Sequence, residues 1–507
     1  MNETESPRGL TGTVVRGVSF AGGGFLLARG ITFAAYVALA RLVTPTELGQ
    51  FTAGTILIAI GFLFAESGMA AAVIHRRDRL EEAAATAVVA TVLIGITTAL
   101  LNLAASPLLG SFFDDSATVA AVAAATSGVL FLGSARVVPN ALLQRRFSFL
   151  RRIVVEPASA LAFAVGAIIA TSEGMGVWGL VVGQYASAVT DFILSWGLVR
   201  WRPKARLVSF GMWRELVAYA RHVLVGTAIR RIGNRIPLAA AGGFVSAAAL
   251  GQFQYATRVV GVPFAFLVSG ISYVVFPAFA RISHDARRFE PAFMRSFRWT
   301  MLAAAPIGMI LLVLGEPFAV LVFGERWEQA GEATRALALF VPAQMVAQMI
   351  GEAFKGTGHP VERTWVNAIG VLAGVIAMAA LIPPFGLIGV AVGVSVDALA
   401  GAISSVRRAH RAMGIPMRPM LAAIAAPLLA TAPMVGVVLP LDTLLVDAGD
   451  RGTAAGLALL VGEGLAGLAI YAAAVRALSP GVTGELAALL RTGRRGGGQP
   501  SPVAWDA

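Results

Sequence analysis

Long apolar stretches alternate with short polar gaps along almost the whole of this chain. Fourteen are drawn here as spans 1–14, covering 18–41, 46–74, 84–108, 117–135, 155–171, 177–199, 216–243, 245–279, 299–320, 333–354, 364–383, 386–406, 419–440 and 452–475. A helix needs about 20 apolar residues to cross a hydrocarbon layer about 30 Å thick. The runs are continuous rather than alternating, so they predict helices and not barrel strands. Several are longer than one crossing needs, which allows tilt or extension into water. The pattern predicts an all-α polytopic membrane protein with about 14 transmembrane helices.

Charge gives the pattern a direction. Gap n is the segment after span n. Of 40 Lys and Arg, 31 fall in the N-terminus, the even gaps, the C-terminal tail or the span ends beside them. The odd gaps and their span ends hold four: Arg41, Arg326, Arg335 and Arg451. Cytoplasmic loops retain Lys and Arg, so both termini are expected in the cytoplasm. With 57% hydrophobic and 13% charged residues, a soluble globular chain is excluded. The net charge of +12 would suit nucleic acid. Runs such as Arg76-Arg77-Asp78-Arg79 and Arg145-Arg146 lie in short loops, however, where topology and contact with anionic membrane lipids account for them. No nucleic-acid partner is expected. The absence of cysteine excludes disulfides and thiolate chemistry. The five histidines are scattered, and no P-loop, zinc motif or nucleophile elbow occurs. Neither catalytic residue, metal nor cofactor is expected, and the chain does not read as an enzyme.

An internal repeat organises the spans. Leu48-Gly49-Gln50-Phe51 recurs as Leu250-Gly251-Gln252-Phe253, an offset of 202. Gly176-Val177-Trp178-Gly179 with Gly183 recurs as Gly386-Leu387-Ile388-Gly389 with Gly393, an offset of 210. The echoes predict two pseudo-symmetric six-helix lobes around a central cavity, 1–200 and 216–410, joined by a cytoplasmic linker at 201–215. Helices 13 and 14 would occupy 411–480, and 481–507 would form a partly disordered cytoplasmic tail. Six spans per lobe make the lobes parallel repeats, a design that binds substrate between the halves near mid-membrane. The linker interleaves Trp201, Leu207, Phe210 and Trp213 with basic residues, as an interfacial amphipathic helix would. Residues 316–332 read as an outer segment with a short interfacial helix anchored by Trp327. Pro237 and Pro263 could kink spans 7 and 8.

Five arginines lie inside spans, where a charge is costly: Arg29, Arg230, Arg231, Arg235 and Arg258. Arg230 with Asn234, and Arg231 with Arg235, share one face of a helix at i,i+4 spacing, as do Gln254 and Arg258. The offset of the first echo carries Arg29 onto Arg231. Planar guanidinium forks suit phosphate oxygens. These five, with Asn234 and Gln254, are the candidate substrate-binding residues of a cationic cavity. Glu66, Asp191 and Asp397 are candidate coupling or structural acids. Of the acids inside spans, Glu66, Asp191 and Glu352 are placed towards the cytoplasmic ends. Pairing of the arginines with buried acids is the structural alternative.

Several segments together resemble the polysaccharide flippases (Wzx-type, lipopolysaccharide and exopolysaccharide biosynthesis) of the multidrug/oligosaccharidyl-lipid/polysaccharide exporter superfamily. They include 40–49 (ARLVTPTELG), Phe64-Ala65-Glu66-Ser67-Gly68, Pro139 to Phe147, Gly176 to Val181, Ala249 to Phe253 and Phe323 to Trp327. The resemblance implies alternating access and an undecaprenyl-pyrophosphate-linked oligosaccharide moved from the inner to the outer leaflet of a bacterial inner membrane. It also implies lipid partners and a polysaccharide polymerase nearby. An acid that relatives carry near the outer end of span 7 is missing beside Asn234-Arg235, which leaves no ion-coupling role to carry over there. A peptidoglycan-precursor (lipid II) flippase and a multidrug or cation antiporter are the alternatives on the same fold.

Overall fold

The computed structural model describes residues 24, 27–66, 68–76, 78–145, 151–282, 284–443 and 453–478. Helix dominates these residues and no strand occurs among them. Nine of the described helices are long and apolar enough to cross a membrane. Glu325–Ala336 with Phe340–Gly356, bent by 49°, make a tenth if taken as one span. Pro360–Met413 counts once in that number, although its 54 residues cover spans 11 and 12. Gly386 lies inside it at φ 52°, ψ −123°, and the chain doubles back there.

Among the described residues, contacts join odd gaps to one another at one end of the molecule and even gaps at the other. At the end poor in arginine, Gln50 donates to Asp115 of gap 3, and Trp327 of gap 9 reaches Ala40 at the end of span 1. At the end rich in arginine, Arg145 donates to the carbonyls of Val73, Ile74 and Arg76. Arg76 pairs with Glu215 at 2.6 Å, and Lys204 with Glu81 at 2.8 Å. Loops whose sequences differ most in charge are therefore separated by the length of the helices.

The repeat is visible in backbone detail. Thr44 caps the helix Pro45–Gly54 in a capping box with Glu47, its side chain accepting from Glu47 N at 3.2 Å while Glu47 Oε2 accepts from Thr44 N at 2.7 Å. Ser246 holds the matching place in the second half. It accepts from Ala249 N at 3.0 Å at the start of Ala247–Ile282. These two helices cross on their glycines. A Cβ on Gly49 would overlap the carbonyl of Ala247, and one on Gly251 would overlap that of Pro45, so the two clashes obey the repeat. The second echo is equally close. Gly176 has φ 52°, ψ −126°, nearly the angles of Gly386, in a region open only to glycine. Gly179 and Gly389 then pack on the backbones of Thr171 and Leu381, which are themselves counterparts in that echo.

Several expectations are corrected. The linker forms no separate interfacial helix: it carries a 3-10 turn at Ala205–Leu207, and Phe210–Gly233 runs without a break into span 7. Residues 316–323 stay within the helix Ala286–Phe323, so only the 3-10 turn Glu325–Trp327 and the helix Glu328–Ala336 form the outer segment. Trp327 is no surface anchor. It is fully buried, its Nε1 donates to the Ala40 carbonyl at 3.0 Å, and its ring lies 3.9 Å from that of Tyr255. An indole buries well where its N–H finds a partner. Span 7 breaks at Asn234–Arg235, next to Gly233 and Pro237, and Pro237 cannot donate to the carbonyl four residues back. Span 8 remains one helix through Pro263. The tail beyond residue 478 lies outside the described residues.

Candidate substrate site

At the arginine-poor end the two halves of the chain are tied together. The Tyr255 hydroxyl donates to the Tyr36 carbonyl at 2.6 Å, and Arg41 donates to the Leu321 carbonyl at 3.1 Å. Tyr36, Phe253, Tyr255, Phe323 and Trp327 pack into one core beside the glycine crossing. Below this closure lies a cavity of about 850 Å³, lined by spans 7, 8, 10, 11 and 12 and extending to Lys355, Pro360 and Arg363 around gap 10.

The chamber wall is rich in amides and hydroxyls. Asn234, Gln254, Thr257, Gln344, Asn367 and Thr364 all line it. On span 10, Gln344, Gln348, Glu352 and Lys355 follow at steps of four, four and three, so they share a face. Near the arginine-rich end the polar groups lock into a cluster. Glu352 is 2% exposed. It accepts from Gln348 Nε2 at 2.9 Å and from Lys355 Nζ at 2.9 and 3.1 Å, with an Arg363 nitrogen 3.5 Å away. Arg363 also donates to Gln348 Oε1 at 3.0 Å. A buried carboxylate is tolerable only with such partners, and it holds two cations at the cavity wall. Asp397 lines the same chamber from span 12, against Gly370 and Gly374 of span 11.

The structure divides the candidate residues of the sequence. Asn234 and Gln254 line the chamber. Arg258 instead stacks on Tyr36 of span 1, its guanidinium carbon 3.2 Å from the ring centroid, and its buried Nε makes no hydrogen bond. It is part of the contact between the halves. Arg235 sits in the span 7 break and N-caps the helix Ile236–Phe244, so no continuous i,i+4 stripe joins it to Arg231. Arg29 is exposed on span 1. The side chains of Arg230, Arg231 and Glu66 lie outside the described residues. Asp191 is held within the first half, 2.8 Å from Arg136, and it accepts from Ser195 Oγ at 2.9 Å. Lys355, Arg363, Gln344, Gln348 and Asn367 were not among the candidates. Their signal was present as the polar face of span 10 and the helical spacing of Arg363, Thr364 and Asn367 at the start of span 11.

An all-helical membrane fold closed by a symmetric glycine crossing, with a polar chamber below it, defines a transporter-like architecture. The solved structure of the lipid II flippase MurJ in an inward closed conformation superimposes with a TM-score of 0.74 over 90% of this chain and 98% of that one, at 14% identity, so the two share a fold. The family described as "Polysaccharide biosynthesis protein" matches residues 38–332, and the chain belongs to it. It is 25% identical over 358 residues to the succinoglycan biosynthesis transport protein ExoT of Rhizobium meliloti (strain 1021), covering 69% of this chain and 71% of that protein. It is 24% identical over 310 residues to the lipopolysaccharide biosynthesis protein WzxC of Escherichia coli (strain K12), covering 57% and 59%. The resemblance drawn from the sequence segments is borne out.

Proposed function

We propose that this protein flips polyprenyl-pyrophosphate-linked oligosaccharide units from the inner to the outer leaflet by alternating access, for an exopolysaccharide or O-antigen-type polymer. The chamber is the observation that carries this reading. Amides supply both a donor and an acceptor, which matches the paired hydroxyls of sugars. Lys355 and Arg363, near its arginine-rich end, suit phosphate. The relative named as a succinoglycan transport protein supports the same substrate class.

The proposal includes fourteen crossings in a bacterial inner membrane, with both termini cytoplasmic and lobes of 1–200 and 216–410. In that orientation the glycine crossing faces outward, and the chamber meets the cytoplasm, where such precursors are assembled. The lipid tail stays in the bilayer while the head crosses. Arg29, Arg230, Arg231 and Arg235 are retained as proposed phosphate contacts along this route. Arg258 would leave Tyr36 as the halves part. Asp397 is the proposed coupling acid, because Asp191 is engaged by Arg136.

Reconstituted flipping of a fluorescent lipid-linked oligosaccharide tests the reading. Replacing Gln344 and Asn367 together by Leu should slow flipping roughly tenfold or more, since each lost amide leaves a desolvated sugar hydroxyl without a partner. Unchanged rates at equal reconstitution would contradict it. Growth arrest on depletion, with cell-wall precursor accumulating inside, would favour the peptidoglycan-precursor alternative.

A further inference from the structure

The hairpin of spans 11 and 12 has a second face. Adjacent to the chamber face, and sharing no lining residue with it, a groove of about 750 Å³ follows span 12. Ala400, Ile403, Ser404, Arg407, Arg408 and Arg411 recur at helical spacing, forming one stripe about 16 Å long. Its first part is apolar: Ile369 of span 11 joins Ala400 and Ile403, and Ile403 is 53% exposed. Its last part is cationic. Glu362 accepts from Arg408 at 2.6 Å, and Arg408 lies over the exposed ring of Trp365 at 5.6 Å.

That pairing leaves Arg407 and Arg411, both exposed, with no ion pair among the described residues. They stand one helical turn apart, where like charges repel. Topology explains why basic residues gather at this end of a span. Topology and the interfacial preference of tryptophan explain the change from apolar to cationic. They do not explain why Arg407 and Arg411 line one groove, continuous with Ile403 and Ile369, with no acid paired to either among the described residues.

We infer that this groove binds an anionic phospholipid of the surrounding leaflet. Its phosphate sits between Arg407 and Arg411, and an acyl chain lies along Ile403, Ala400 and Ile369. Two guanidinium groups donate charge-assisted hydrogen bonds to one phosphate, and the shared anion relieves their repulsion. Basic pockets beside membrane helices at the headgroup level hold anionic lipids in this way. A zwitterionic phospholipid brings its own cation and gains less. The site lies outside the chamber, so it stands whether or not the flipping reading holds.

The test uses the full-length protein, purified in detergent, stripped of lipid and titrated by native mass spectrometry. Phosphatidylglycerol should bind more tightly than phosphatidylcholine of the same chains. Arg407→Gln with Arg411→Gln should weaken phosphatidylglycerol binding roughly tenfold and leave phosphatidylcholine unchanged. Arg407→Lys with Arg411→Lys, which keeps the charge, should retain most of the affinity and so separates loss of charge from loss of fold. Equal binding of the two lipids, or an unchanged affinity in the Gln variant, overturns the inference. So does displacement by millimolar inorganic phosphate, which would mark a soluble-anion site. Preferential binding of undecaprenyl phosphate over phosphatidylglycerol in this groove overturns it in favour of a transported lipid.

Discussion

Glu352 shows how one buried residue can organise a site built from longer, partly exposed ones. Its carboxylate is almost fully desolvated and is compensated by Lys355, Arg363 and Gln348. Glu352→Gln removes the counter-charge and should cost about 1–3 kcal/mol, the cations being partly solvated; thermal unfolding in detergent measures it. Trp327→Phe keeps an aromatic ring, though a smaller one, and leaves the buried Ala40 carbonyl without its donor, for a loss of at least about 1–3 kcal/mol by the same measurement. Asp191→Asn should lower stability and leave the pH dependence of transport unchanged, because Asp191 is a structural partner of Arg136. At the arginine-rich end, a hydrogen bond from Lys204 holds the Glu81 carboxyl below the ordinary glutamate range, and Arg79 does the same to Glu82. A lowered carboxylate contributes stability above its ordinary pKa and loses it as pH falls through the lowered value. The protection of amides 80–86, taken relative to their intrinsic exchange rate at each pH, should therefore be flat from neutral pH down to the ordinary value of 4.5 and should fall only below it.

Under the proposed alternating access, helix pairs carry the movement. Pro45–Gly54 and Ala247–Ile282 touch backbone to backbone at Gly49 and Gly251, so no side chain there tolerates closure. Gly49→Val or Gly251→Val should hold the arginine-poor end open, while Gly261→Ala, whose Cβ would meet nothing within 4 Å, should behave as wild type. Because the chain has no cysteine, a single cysteine at residue 253 reports this by maleimide labelling from outside. The elements were largely legible in the sequence, since hydropathy follows the membrane and the echoes follow the symmetry. Leu48 to Phe51 and Leu250 to Phe253 could be matched as strings, but that the copies cross on each other depends on tertiary placement. Trp327 was misread because an aromatic next to a polar turn looks the same whether it meets headgroups or a neighbouring helix. The stacking of Arg258 was not legible because a cation inside a span can face a cavity or an aromatic ring, and Tyr36 supplies the ring only in the folded chain. The amide face of span 10 was legible but lay among stronger charge signals.

For the whole molecule, the proposed alternating access makes the closed glycine crossing and the chamber below it one end of a transport cycle. The central claim is that a lipid-linked oligosaccharide occupies this chamber from the arginine-rich side. Asn367→Cys places a unique thiol on the chamber wall. In inside-out vesicles a membrane-impermeant maleimide should label it, and added lipid-linked oligosaccharide should slow that labelling several-fold, whereas a polyprenyl lipid without sugar should slow it less. Labelling that is indifferent to the sugar-bearing lipid, or that occurs only in right-side-out vesicles, would contradict the account.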